Sequence, residues 1–153
     1  MFKRYLLSML IATVLLLTAC GGALPFSSPT ATPIPFAAFT AQDVFDAFTA
    51  AGLSVQNPQS QMSAGRDEPG EFGERFVFEI PSIAPVGGQL IVFENPEQLA
   101  AWQAYIESLR NNSATRRTVI YVYVKNNVMV QLNSMLTNAE ATAYREALEG
   151  ITF

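Results

Sequence analysis

The chain predicts an α+β domain: an antiparallel sheet of about four strands with three helices, in the order α-β-(β)-β-α-β-β-α. Three observations predict it. Three segments carry apolar residues at helical spacing behind a capping residue. Between them lie short runs whose apolar residues alternate or run together. Two of those runs flank Asn126-Asn127, a turn pair.

The chain begins with a different kind of segment. Lys3 and Arg4 give a basic start, Tyr5 to Leu17 is an uncharged apolar run of 13 residues, and the small pair Thr18 and Ala19 precedes Cys20 and Gly21. This is a secretory signal layout. As a helix the run would span about 20 Å, short of the ~30 Å hydrocarbon core, so a permanent transmembrane helix is the weaker reading. At Leu17-Thr18-Ala19-Cys20 the sequence resembles the lipobox of bacterial lipoprotein signal peptides. That resemblance implies a diacylglycerol thioether on Cys20, cleavage before it, and acylation of the new amino terminus in many bacteria. It implies a chain anchored to the membrane by acyl chains on Cys20 and facing the extracytoplasmic side, with the outer membrane a possibility in an organism that has two. A diacylated cysteine meets the need for more than one acyl chain in a lasting anchor. It also explains why an exported chain keeps one cysteine and hence no internal disulfide.

Removing residues 1–19 as signal peptide leaves 134 of the 153 residues. Residues 20–39 read as the lipidated cysteine and a tether, and 40–153 as one domain. The tether is rich in Pro, Ser and Thr, has no charge, and at ~3.1 Å per residue could hold the domain up to about 60 Å from the bilayer. Phe36 or Phe39 is expected to pack where the chain meets the domain. Without Lys3 and Arg4, seven basic residues face 13 acidic ones. Nucleic acid is therefore not an expected partner, since binding phosphates needs clustered cations. No histidine is present, so the commonest general base and metal ligand is missing. No cofactor, no metal and no catalytic residue is expected, and the chain reads as a non-enzyme.

Thr40-Ala41-Gln42-Asp43 opens the first helix as a capping box, with Val44, Phe45, Phe48 and Ala51 as its stripe and Gly52 as a left-handed stop. A short strand is expected around residues 54–56. Residues 57–73 then read as a polar loop broken by Pro and Gly. Asp67, Glu68 and Glu71 lie in it without the spacing of a Ca²⁺ loop, so they read as solvated charges. Residues 75–80 form a half-buried strand with Phe76, Phe78 and Ile80 on one face and Arg75, Val77 and Glu79 on the other. Residues 89–93 are apolar on both faces, which suggests a central strand.

Asn95 caps the second helix, Pro96 fills its first position, and Leu99, Trp102, Ile106 and Leu109 face inward with Tyr105 beside them. Trp102 at this spacing is core. Residues 118–124 and 128–133 form a hairpin for which two registers compete. A two-residue turn pairs Lys125 with Val128 and puts Tyr121 and Tyr123 on the face of Val130 and Leu132. A three-residue loop pairs Val124 with Val128, Val122 with Val130 and Ile120 with Leu132, giving one all-aliphatic face. The second register is expected for that reason. It collects Tyr121, Tyr123, Met129 and Gln131 on the reverse face, with the composition of a protein-contact surface. Thr137-Asn138-Ala139-Glu140 caps the last helix, whose stripe is Ala141, Tyr144, Leu148 and Ile151 and whose stop is Gly150.

This succession of capped helix, paired strands, Pro-started helix, hairpin and last helix is similar to small bacterial lipoprotein domains across residues 40–153, without a motif that transfers a site. Helices are expected on one face of the sheet. The expected role is a membrane-anchored adaptor that reaches an extracytoplasmic protein partner through the tyrosine face. A small-molecule or peptide receptor is the alternative, and hydrolysis by Ser with Lys125 or by loop carboxylates ranks third.

Overall fold

The structure is a computed structural model that describes Pro35, Phe36 and residues 38–152. The lipobox, Cys20 and most of the tether lie outside the described residues. Among the described residues, three helices, α1 (Ala41–Ala50), α2 (Pro96–Asn111) and α3 (Asn138–Glu149), accompany five strands: β1 (Gln56–Ser60), β2 (Glu74–Glu79), β3 (Gly87–Val92), β4 (Tyr121–Lys125) and β5 (Val128–Leu132). The strands form one antiparallel sheet in the order β1-β2-β3-β5-β4. The α+β class holds, with five strands where the sequence suggests about four. Among the described residues, no helix is long and apolar enough to cross a membrane.

Local chemistry sets the helix ends. Both capping boxes form: Thr40 accepts from the Asp43 amide while Asp43 accepts from Thr40, and Thr137 and Glu140 do the same. Gly52 takes a positive φ of 73°, and the Leu53 amide reaches back to the Phe48 carbonyl at 2.8 Å. Gly150 ends α3 at φ −73°, so it stops the helix without the left-handed turn. Asn95 caps α2 through the Gln98 amide at 2.9 Å. The strand expected around residues 54–56 is β1, slightly later. Its residues are all exposed, so no apolar alternation marks it.

The sheet is covered on both faces, which corrects the expectation of helices on one. On one face α1 and α3 enclose Phe78, Leu90, Val92, Val128, Val130 and Leu132. On the other, α2 covers Ile91, Phe93 and Met129 with Trp102 and Ile106. The reason lies in β3 and β5, whose runs Leu90-Ile91-Val92 and Val128-Met129-Val130 are buried residue after residue. Central strands of that kind need a layer on each side.

The hairpin takes the two-residue turn, not the expected three-residue loop. Lys125 pairs with Val128, Tyr123 with Val130 and Tyr121 with Leu132. The all-aliphatic face is not needed, because both faces are covered and tyrosine packs well with its ring inside and its hydroxyl out. Asn126 supplies the positive φ, 50°, that a tight hairpin turn requires. Asn127, only 1% exposed, fixes the turn to the incoming chain. Its Oδ1 accepts from the Phe39 amide at 3.0 Å, and its Nδ2 donates to the Phe39 carbonyl at 2.8 Å. Phe39 is buried on the two-helix face, and Phe36 packs against the α2 cluster, as expected of residues where the tether meets the domain.

Candidate functional site

The register separates the four residues of the expected contact face. Tyr121 and Tyr123 lie on the two-helix face against the core. The Tyr121 hydroxyl donates to Asn138 Oδ1 at 2.7 Å and lies 3.2 Å from the Leu136 carbonyl, at the start of α3. Burial pushes the Tyr123 phenol above its ordinary value. Met129 is buried beneath α2, and Gln131 lies on that same face. No surface of this molecule therefore presents all four together. Lys125, the lysine of the third reading, donates to the Glu149 and Ile151 carbonyls at the end of α3 and sits 5.5 Å from the Phe39 ring centroid. A cation at a helix C-terminus is a structural placement.

The α2 face has two halves. Across one row, Arg75, Ile91, Met129 and Val124 occupy four strands, with Trp102 and Ile106 of α2 packed on the middle pair. In the next row stand Val77, Gln89, Gln131 and Val122, where the pattern turns polar. There a groove of about 470 Å³ opens, lined by Arg75, Val77, Gln89, Thr118 and Gln131 and edged by Val86 and Asn133.

A chain of hydrogen bonds orders these side chains. Arg75 Nε donates to Gln89 Oε1 at 2.8 Å, Gln89 Nε2 to Gln131 Oε1 at 2.7 Å, and Gln131 Nε2 to the Thr118 carbonyl at 3.0 Å. Each amide is thereby held in one orientation. Cross-strand pairing of Gln89 with Gln131 places the two amides side by side, and Arg75 reaches them from the diagonal position on β2. Arg75 is 6% exposed, and its guanidinium lies 5.6 Å from the Trp102 ring centroid. Its charge is met by Glu68, with Nη1 donating to Oε2 at 2.6 Å and Nη2 to Oε1 at 3.3 Å. Glu68 also accepts from the Gly65 amide at 2.7 Å. The acidic loop residue that reads as a solvated charge is thus the counter-ion of a buried arginine.

Gly87 lets the start of β3 lie close against the backbone of β2. A Cβ on Gly87 would lie 2.2 Å from the Phe78 carbonyl oxygen, a contact that only glycine avoids on this backbone. The Trp102, Phe72 and Tyr105 rings pack edge to face beside Arg75 under α2. Burial, then Glu68 and Asp67, push the Tyr105 phenol above its ordinary value.

The groove's lining contains one ionisable side chain, Arg75. Each glutamine Nε2 carries a second hydrogen beyond the one committed to the chain, and the Thr118 and Ser134 hydroxyls stand at the edge. Such a lining can hold and orient a polar molecule. No carboxylate, thiol or amine side chain is among the lining residues. Among the described residues, no three His, Cys, Asp or Glu side chains gather as a metal site.

Sequence reasoning reaches Gln131 but misses Arg75, Gln89 and Thr118. The available signal is Arg75 among Phe76, Val77 and Phe78 in a half-buried strand, since an arginine there needs a partner and the acidic loop before it can supply one. Comparison with protein-family models, with curated proteins and with solved structures finds no match to this chain.

Proposed function

We propose that the chain is a lipid-anchored, extracytoplasmic binding module, held at the membrane by acyl chains on Cys20 and contacting its ligand through the groove on the α2 face. The single observation that carries the binding half is the ordered chain Arg75–Gln89–Gln131–Thr118 beside an open groove. Preset amides reduce the ordering cost of binding and suit a ligand with its own carbonyl, carboxylate or hydroxyl groups. A peptide or a small polar molecule fits that description, and the module works as a receptor or adaptor with no reaction of its own. The anchoring half rests on Leu17-Thr18-Ala19-Cys20 and on the lone cysteine.

Two assays test the halves separately. Metabolic labelling with a clickable palmitate analogue is expected to mark the wild-type chain in the membrane fraction, with label and membrane retention both lost in Cys20→Ala. Purified full-length protein is then screened by NMR against short peptides and polar metabolites, with the Gln89→Leu, Gln131→Leu double variant as the blank. Ligands whose shifts vanish in the folded double variant support the groove. Shifts that persist in the variant would count against it.

A further inference from the structure

The two edges of the sheet differ. β1 carries several devices that discourage pairing with another chain: Pro58, a register irregularity between Gln56 and Gln59, and a positive φ at Asn57. β4 carries none of these. Ile120-Tyr121-Val122-Tyr123-Val124 has no proline and no charge before Lys125, and it is rich in strand-favouring residues.

The ladder fixes which groups this edge presents. The Phe93 amide donates to the Asn127 carbonyl, so along β5 the residues Asn127, Met129 and Gln131 direct their backbone groups toward β3, and Val128, Val130 and Leu132 toward β4. Lys125, Tyr123 and Tyr121 are therefore bonded to β5. Val122 and Val124 turn their N–H and C=O groups outward, and none of these four groups has a protein partner among the described residues. Their side chains line a second groove of about 420 Å³ between β4 and α2, with Met129 and Ile106 at its base and Glu107 and Arg110 on its wall. Ile120 and Val124, 50% and 39% exposed, add apolar surface at the same edge.

We infer that β4 pairs with β4 of a second copy of this chain, antiparallel about a two-fold axis at Tyr123. The register follows from the bonding. A two-fold axis pairs residues whose numbers have a constant sum, and only Val122 opposite Val124 of the other copy uses all four outward groups of both strands. Tyr123 then faces its own counterpart across the axis. The α2 wall carries Glu107 and Arg110, which pair with each other at 3.7 Å, so the wall presents no net charge to repel a symmetric mate. The chain's own tether is a poor occupant, because Pro25, Pro29 and Pro33 each lack the N–H that a paired strand supplies.

The test uses full-length protein in detergent. Sedimentation is expected to give a dimer for wild type and half that mass for Val124→Pro, which removes an outward N–H and leaves the β5 ladder intact, with the circular dichroism spectrum of the folded chain retained. Should Val124→Pro fail to fold, cysteine pairing decides. A co-expressed mixture of Val122→Cys and Val124→Cys chains is expected to cross-link between the two variants, beyond any product of wild type. A monomer at every concentration, a dimer that survives Val124→Pro, or equal cross-linking of each variant with itself overturns the inference.

Discussion

The two faces of the sheet meet the same requirement, covering the apolar residues of β3 and β5, by different means. Where α1 and α3 lie side by side, the cover extends from Phe76 across to Tyr121, and aromatic side chains close the gaps: Phe48 meets Tyr144 edge to face at 5.0 Å, and Phe45 meets Phe76 and Phe78 near 5.8 and 5.9 Å. Opposite, one helix packs on the row of Ile91 and Met129, and the next row along the strands is finished with hydrogen bonds between side chains. The closed face holds the fold together. The half-covered face keeps ordered polar groups next to open space, which is what a binding surface needs.

The comparison can be broken most readily at the closed face. Phe48→Ala, in a fully buried position, is expected to cost about 3–5 kcal/mol in denaturant unfolding. Tyr123→Ser should cost roughly 2–4 kcal/mol, because its ring packs on the core. If the tyrosine changes proved nearly neutral, the hairpin register would be in error. On the open face, Arg75→Met leaves the Glu68 carboxylate without its partner. The loss should be about 2–3 kcal/mol, toward the low end for a broken buried pair because the Glu68 side chain is 19% exposed. Gln89→Leu and Gln131→Leu are expected to cost about 1–2 kcal/mol each, and less together than their sum, since the second loss removes a group already unpaired. A double-mutant cycle measures that coupling.

Acid should sharpen the contrast. Hydrogen bonds from Thr40 hold the Asp43 carboxyl below its usual range, and those from Thr137 do the same for Glu140. A carboxylate with a lowered folded-state pKa contributes stability above its unfolded value and loses it as pH falls through the folded one. Both caps start helices of the closed face, so that side should loosen first below about pH 4. Asp43→Asn and Glu140→Gln are expected to flatten the acid limb of the stability profile.

Much of the fold is legible in the sequence because its signals are local. Thr40 with Asp43, Asn95 with Pro96, and Thr137 with Glu140 state the helix starts, and the apolar run of β3 marks that strand as central. What the sequence withholds depends on choices between distant parts. Both hairpin registers satisfy the pattern of residues 118–133 taken alone. What distinguishes them is Asn127 binding Phe39, and α3 receiving the Tyr121 hydroxyl, across long separations in the chain. The groove is hidden for a similar reason: Arg75, Gln89, Gln131 and Thr118 come from different segments and meet only when the sheet order β2-β3-β5 is known. β1 is misplaced, expected at residues 54–56 and found at Gln56–Ser60 within the expected loop, because its exposed polar residues carry no period.

The most direct test of the account is photo-crosslinking in the native cells from two positions, Thr118 at the groove edge and Ala50 at the exposed end of α1. The account predicts a defined adduct, protein or small molecule by mass spectrometry, from Thr118 and none from Ala50, with the Thr118 adduct lost in the Gln89→Leu, Gln131→Leu variant. An adduct from Ala50 alone, or one from Thr118 that the double variant leaves unchanged, would contradict it.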